Sequence, residues 1–172
     1  MPIERIMIIG SPGSGKSSLA KRLADKTGLP LVHLDRLNWL NDKETVTEDV
    51  FLEHLTAEIA KRSWIIDGNY GTSMAKRLAR ADMVIWLQVP RVICLYRIVK
   101  RYVKSLFVKN GAGNPKRLDW DFIRFVWHFP ESQSQTEALL ADFPSLRLVI
   151  LSRRFDLDQL LKAIEKECYE NY

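Results

Sequence analysis

The sequence predicts an α/β fold, a parallel sheet with helices on both faces. Three observations predict it. Short apolar runs recur at residues 6–9, 31–34, 64–66, 83–87 and 146–151, stretches of helical periodicity separate them, and a glycine-rich turn joins the first run to the first helix. Runs without polar alternation read as parallel strands buried on both faces. In such sheets ligands bind beyond the carboxyl ends of the strands. A length of 172 residues suits one domain, 1–172, and 47% hydrophobic with 27% charged residues excludes a disordered chain.

The first run, Ile6-Met7-Ile8-Ile9, leads into Gly10-Ser11-Pro12-Gly13-Ser14-Gly15-Lys16-Ser17. This fits G-x-x-x-x-G-K-[ST], the P-loop. Ser18 follows, then Leu19 and Leu23 at helical spacing, closed by Gly28 and Pro30. Strand, glycine loop and helix are the setting in which the pattern has a mechanism. Glycines 10, 13 and 15 let the backbone curl with its N–H groups turned inward, and the helix dipole adds positive potential, so a polyphosphate is held. Lys16 puts a point charge on the β- and γ-phosphates, and the Ser17 hydroxyl ligates Mg²⁺. The expected cofactors are ATP, or another nucleoside triphosphate, and Mg²⁺.

The second run ends in Asp35, and residues 36–46 read as a loop containing Trp39. Thr47 caps the next helix, which carries Phe51, Leu55 and Ile59 to Lys61-Arg62. Trp64-Ile65-Ile66 ends in Asp67, followed by Gly68-Asn69-Tyr70-Gly71. A short helix over about 72–81 holds Lys76, Arg77 and Arg80. The fourth run, 83–87, is stopped by Pro90. A long helix over 91–107 has Val92, Tyr96, Val99, Val103 and Leu106 on one face and Arg97, Arg101 and Lys104 on the other. Residues 109–116, rich in glycine and asparagine, mark a mobile loop. Aromatic-rich 119–129 reads as a packed helix ended by Pro130. A helix over 131–142, the fifth strand, Arg153-Arg154 and a last helix from Asp156 complete the chain.

A Mg²⁺ ion beside a P-loop needs a carboxylate at a neighbouring strand end. The fourth strand ends Leu87-Gln88 and offers none, so Asp67 is the expected metal contact. Asp35 could ligate the metal or accept the proton of an acceptor hydroxyl. Arg97 and Arg101, one turn apart, could clamp a migrating phosphoryl group, whose charge grows on its outer oxygens. Arg153 could stack on a nucleobase. Trp39 and Tyr70 could line an acceptor pocket, Arg77 and Arg91 could contact anions, and His33 reads as a core or supporting histidine.

The net charge is +5, yet residues 91–128 hold nine basic residues against two acids, so the excess lies in one segment. That favours a localised anionic ligand over a generally basic surface. No apolar run is long enough to span a bilayer, residues 1–6 lack a signal-peptide pattern, and Cys94 and Cys168 lie far apart. The expectation is a cytoplasmic protein with reduced thiols and no membrane partner.

Several stretches together resemble a known family: residues 10–18, His33-Leu34-Asp35, Trp64 through Tyr70, Ala81 through Ile85, Val89-Pro90-Arg91 and Arg117-Leu118-Asp119-Trp120. They are similar to the DNA topology modulation (FlaR-related) proteins, within the adenylate-kinase-like group of nucleoside and nucleotide kinases. The resemblance implies a three-layer P-loop NTPase fold with a five-stranded parallel sheet in the order 2-3-1-4-5. It also implies a helical lid inserted after the fourth strand, here residues 97–130, to which Arg97 and Arg101 are proximal. Asp67-Gly68 matches the Asp-Gly of adenylate kinases, but Asn69-Tyr70 stands in place of their Phe-Pro-Arg, which counts against AMP as acceptor. Gln88 stands where close relatives are expected to carry Asp.

The function expected is ATP- and Mg²⁺-dependent phosphoryl transfer to a small acceptor: a nucleoside, a nucleotide or a related metabolite. Lys16, Asp35, Asp67, Arg97 and Arg101 are the expected catalytic residues. Residues 10–18 with Arg153 would hold the nucleotide, and Ser17 with Asp67 the metal. A nucleotide-dependent DNA-associated regulator and an NTP-binding switch without transfer remain as alternatives.

Overall fold

The computed structural model describes residues 3–40, 44–107, 118–152 and 155–169. In chain order the elements are β1 (Arg5–Gly10), α1 (Lys16–Thr27), β2 (Leu31–His33), α2 (Leu34–Asn38), α3 (Glu48–Ala60), β3 (Trp64–Asp67) and α4 (Met74–Leu78). There follow β4 (Met83–Leu87), α5 (Arg91–Phe107), α6 (Trp120–His128), α7 (Gln133–Ala141), β5 (Arg147–Leu151) and α8 (Phe155–Tyr169). The five strands form one parallel sheet in the order β2-β3-β1-β4-β5, the order the resemblance implies.

Side chains alternate across the sheet and build two cores. On one face Ile6, Ile8, Ile65 and Ile85 pack with Leu19 and Leu23 of α1 and Leu161 and Ile164 of α8. On the other, Met7, Ile9, Ile66, Val84 and Trp86 meet Phe51, Leu55 and Ile59 of α3, Leu78 of α4 and Leu140 of α7. Every residue of β3 and β4 is buried, which is why both read as continuous apolar runs. Each such Ile or Leu contributes about 1.5–3 kcal/mol by leaving water. β5 is an edge strand, and its Leu148 and Ile150 stay exposed.

Three local expectations are corrected. Residues 36–46 are not all loop: α2 occupies 34–38, and Trp39 bridges Thr45 in antiparallel fashion. A five-residue helix is too short to show periodicity. Asp35 therefore sits in the first turn of α2, not at a strand tip. Most α6 aromatics are not packed core, for Trp120, Phe125 and Trp127 are exposed, while Phe122 is half-buried and only Val126 is fully buried. Asp119 caps this helix, its Oδ1 accepting from the Phe122 N–H at 2.7 Å.

On α5 the stripe Val92, Tyr96, Val99 and Val103 faces solvent. The buried positions are Cys94 and Ile98, which pack with Val126 and Phe122. Burial also raises the Cys94 thiol above its ordinary pKa. Arg153, the central part of the expected 97–130 lid (108–117) and the Cys168 side chain lie outside the described residues.

Candidate active site

The P-loop spans the gap between β1 and α1. Gly13 has φ 78°, and a Cβ there would stand 2.5 Å from the Cys94 carbonyl oxygen of α5. Gly10, at φ 144°, would put a Cβ 2.5 Å from the Leu87 carbonyl of β4. Glycine is needed at both because a neighbouring backbone passes too close for any side chain. The Ser14 N–H donates to Ser11 O at 3.1 Å and tightens the turn. No side chain caps α1, and its first turn holds no acid. Its leading amides thus meet the needs of an anion.

Lys16 lies within this turn. Its Nζ donates to Gly10 O at 2.8 Å and Ser11 O at 3.0 Å, which occupies two of an ammonium's three donors. Burial pushes its pKa down to about 8, against the opposing pull of Asp67 and Asp35. Ser14 Oγ is buried without a partner, and the open side of Gly15 meets nothing nearer than Arg97 Nη1, 3.7 Å from a built Cβ. An unsatisfied hydroxyl and an open glycine fit a phosphate cradle.

The turn is braced from outside. The Asn69 Oδ1 accepts from Gly10 N–H at 3.0 Å, while its Nδ2 donates to Gly10 O at 2.8 Å. Arg97 Nη1 donates to Ser14 O at 2.8 Å. The segment that carries Asn69 is held by Arg77, which is completely buried. Its guanidinium donates to the carbonyls of Gly68 (2.9 Å), Tyr70 (3.0 Å) and Asn69. Burial pushes the Arg77 pKa down to about 9. This residue, read from the sequence as an anion contact, is spent on backbone carbonyls. Arg91 likewise lies over the Trp127 ring, 4.5 Å from its centroid.

The two carboxylates are each oriented by a neighbour. His33 Nδ1 lies 2.6 Å from Asp67 Oδ1, and with its proton on Nδ1 the ring donates to this carboxyl group. Asp67 is 5% exposed. The Tyr70 hydroxyl donates to Asp35 Oδ1 at 2.9 Å, and its ring stacks on Phe51 with centroids 5.0 Å apart. Tyr70 is the one non-glycine among the described residues with positive φ, 32°, so tertiary contacts hold it against local preference. Burial and the Asp35 charge raise its phenol pKa.

A cavity of about 540 Å³ gathers these groups. Pro12, Gly13, Gly15, Lys16 and Ser17 line it from the P-loop, Asp35 from the first turn of α2, Asp67 from the end of β3, and Arg97 and Arg101 from α5. Trp39, Gly68, Asn69, Tyr70, Phe122 and Phe125 complete its wall. Gly10, Ser11 and Ser14 form the back of the turn, and Ser18 is exposed in the first turn of α1. The structure thus brings the sequence-predicted catalytic residues to one cleft. Sequence reasoning missed the role of Asn69 and the part played by Phe122 and Phe125. An amide directly after Asp67-Gly68 was the available signal for the first.

Sheet order and phosphate-binding turn define a P-loop protein with the nucleotide-kinase fold. A model of the ATPase family associated with various cellular activities (AAA) matches residues 6–87, from β1 through β4. An adenylate kinase from Agrobacterium fabrum is 26% identical over 192 residues, which span 94% of this chain and 96% of that protein. Among solved structures, shikimate kinase from Acinetobacter baumannii in complex with shikimate superposes with a TM-score of 0.59 at 16% identity, covering 98% of this chain and 94% of that one. A gluconokinase from Sinorhizobium meliloti gives 0.55 at 18% identity, covering 97% and 92%. At these identities the structural likeness is one of fold.

Proposed function

We propose that this chain is a P-loop kinase that moves a phosphoryl group from a Mg²⁺-bound nucleoside triphosphate, ATP in the first instance, to the hydroxyl of a small acceptor. The observation that carries this reading is the convergence of Lys16, Asp35, Asp67, Arg97 and Arg101 on one cavity beside the uncapped start of α1. The kinase names of the similar proteins support it. Mg²⁺ takes one or two protein oxygens and leaves the rest of its shell to phosphate and water. The Ser17 hydroxyl and the Asp67 carboxylate fit that demand. When bound, the metal nucleotide supplies the transferable phosphoryl group and neutralises charge on it.

The chain's own residues do the rest. The amides of the turn and Lys16 fix the phosphates in line. His33 holds Asp67 in its orientation as a metal contact. Asp35, oriented by Tyr70, would take the acceptor's hydroxyl proton as the acceptor oxygen bonds to the γ-phosphorus and the bond to the departing nucleoside diphosphate breaks. Arg97 and Arg101 stabilise charge on the equatorial oxygens. Residues 97–130 act as the lid that excludes water, and Arg153 stacks on the base of the nucleotide. Within the P-loop kinases we assign the chain to the adenylate-kinase-like group, on the topology-modulation resemblance, and to the cytoplasm. No helix among the described residues is long and apolar enough to cross a membrane.

The test is a panel of hydroxyl compounds assayed for labelled-phosphoryl transfer against the background of ATP hydrolysis. Transfer well above hydrolysis to at least one compound is expected. Its failure across a broad panel would sink the reading. Lys16→Ala abolishes nucleotide binding whether or not transfer occurs, so the panel decides.

A further inference from the structure

We propose that the acceptor is an uncharged molecule with a flat ring and a free hydroxyl, of the nucleoside class, rather than a phosphate monoester or a carboxylic acid. This rests on the kinase reading above and narrows it.

The distribution of charge around the cavity carries the argument. Its lining cations among the described residues are Lys16, Arg97 and Arg101, all from the P-loop or α5. Lys16 and Arg97 already donate to P-loop carbonyls, so their positive ends sit where the donor phosphates belong. The remaining lining side chains, from α2, the β3 end and α6, include two carboxylates and no cation. Of the two guanidiniums on the segment after β3, Arg77 is completely buried and bonded to three carbonyls, and Arg80 donates to Ala60 O of α3. Among the described residues an anionic acceptor at Asp35 would therefore find only Arg101 as a counter-charge, which the migrating phosphoryl group also needs, and like-charge juxtaposition is among the strongest means of rejection.

The rest of that wall favours a ring. Trp39, Tyr70, Phe122 and Phe125 present aromatic groups to the cavity, and Phe125 is 53% exposed at its place in the wall. Phe122 and Phe125 lie near parallel, 6.4 Å apart with 26° between planes, as a continuous aromatic surface on α6. Such faces stack on any base with little regard to its hydrogen-bonding edge. Asp35 adds an acceptor oxygen for a ligand hydroxyl, since Tyr70 engages Oδ1. A carboxylate that orients hydroxyls, set among aromatic faces, matches a base joined to a sugar.

The experiment compares four nucleosides with their 5′-monophosphates, with shikimate and gluconate, and with glycerol and glucose. Transfer is measured with ATP·Mg²⁺, and direct binding by calorimetry in the presence of a non-hydrolysable ATP analogue. A nucleoside is expected to show kcat/KM at least tenfold above its own monophosphate and above both carboxylates. Trp39→Ala should raise the nucleoside KM and calorimetric Kd about tenfold with kcat little changed. Phe125→Arg, which places a cation in the wall, should shift preference toward the monophosphate by a similar factor. Tenfold preference for a monophosphate or a carboxylate by the wild-type protein overturns this proposal and leaves the kinase reading standing. Preference for glycerol or glucose over every nucleoside overturns the ring requirement. Transfer to none of them, with no nucleoside bound in calorimetry, overturns the proposal as well; nucleotide binding without any transfer identifies the kinase reading as the part that failed.

Discussion

Asn69 holds Gly10 at both of its backbone polar atoms, accepting from the N–H at 3.0 Å and donating to the carbonyl at 2.8 Å. The two residues are 59 positions apart, so one side chain ties the strand end that carries Asp67 to the first glycine of the phosphate-binding turn. Replacing Asn69 by Asp keeps the shape but sets a carboxylate against the Gly10 carbonyl. A buried group left without its partner costs about 1–3 kcal/mol. We expect nucleotide affinity to fall by about tenfold with the fold intact, read by calorimetry alongside circular dichroism. Unchanged affinity would show that the brace is idle.

Lys16 gives a pH dependence with opposite signs for binding and for stability. Its pKa in the folded protein is lowered from 10.5 to about 8 by burial. Phosphate binding needs the protonated form, so affinity is level below about pH 8 and declines as pH rises through it. A bound anion raises the pKa, and binding at pH 8 takes up about half a proton. Calorimetry of metal-free ADP in buffers of different ionisation enthalpy measures that uptake. For folding, the unfolded chain binds this proton more tightly between pH 8 and 10.5. Stability is therefore reduced below pH 8 and recovers as pH rises to 10.5. Lys16→Met should raise the melting temperature at pH 7 by a few degrees, and the gap from wild type should narrow at pH 10.

Arg77 serves structure. Arg77→Ala takes their donor from the Gly68 and Asn69 carbonyls, while Tyr70 O keeps the Ser73 N–H and hydroxyl, and a buried acceptor left unsatisfied costs about 1–3 kcal/mol. A lysine lacks the planar fork and should recover less than half of the loss. Urea denaturation midpoints check both. A stable Arg77→Ala protein with impaired anion binding would return Arg77 to the role first read from the sequence.

Gly13→Ala tests the contact between turn and helix. The added Cβ would lie 2.5 Å from the Cys94 carbonyl at a φ of 78°, so either the turn or α5 must shift. Both phosphate binding and the placement of Arg97 depend on that contact. We expect phosphoryl transfer to drop about 10–100-fold, a loss of 1.4–2.7 kcal/mol of transition-state stabilisation, with far-ultraviolet circular dichroism unchanged.

Much of this architecture was legible because its signals are local or periodic. The runs 6–9, 64–66 and 83–87 are strands buried on both faces, and the P-loop needs only its own residues and flanks to be recognised. Arg97 and Arg101 reach the cavity because one helical turn separates them. What escaped depends on contacts between distant segments. Nothing in the spacing of α5 tells whether Val92, Tyr96, Val99 and Val103 or Cys94 and Ile98 face inward, because that follows from where the helix crosses the turn. The aromatics of 119–129 look like core by composition, yet their helix stands beside a cleft. Arg77 looks like a surface cation until the carbonyls of its neighbouring segment converge on it.

Gly13 rests on the Cys94 carbonyl, and Ser14 is tied to Arg97 three residues further along the same helix. The turn and α5 are thereby joined at two points along the helix, as a bracket is joined to a lever. Any tilt of the far end of α5 would twist the phosphate cradle with it. Grip on the donor and the angle of this helix would then change as one linkage, without a separate hinge between them.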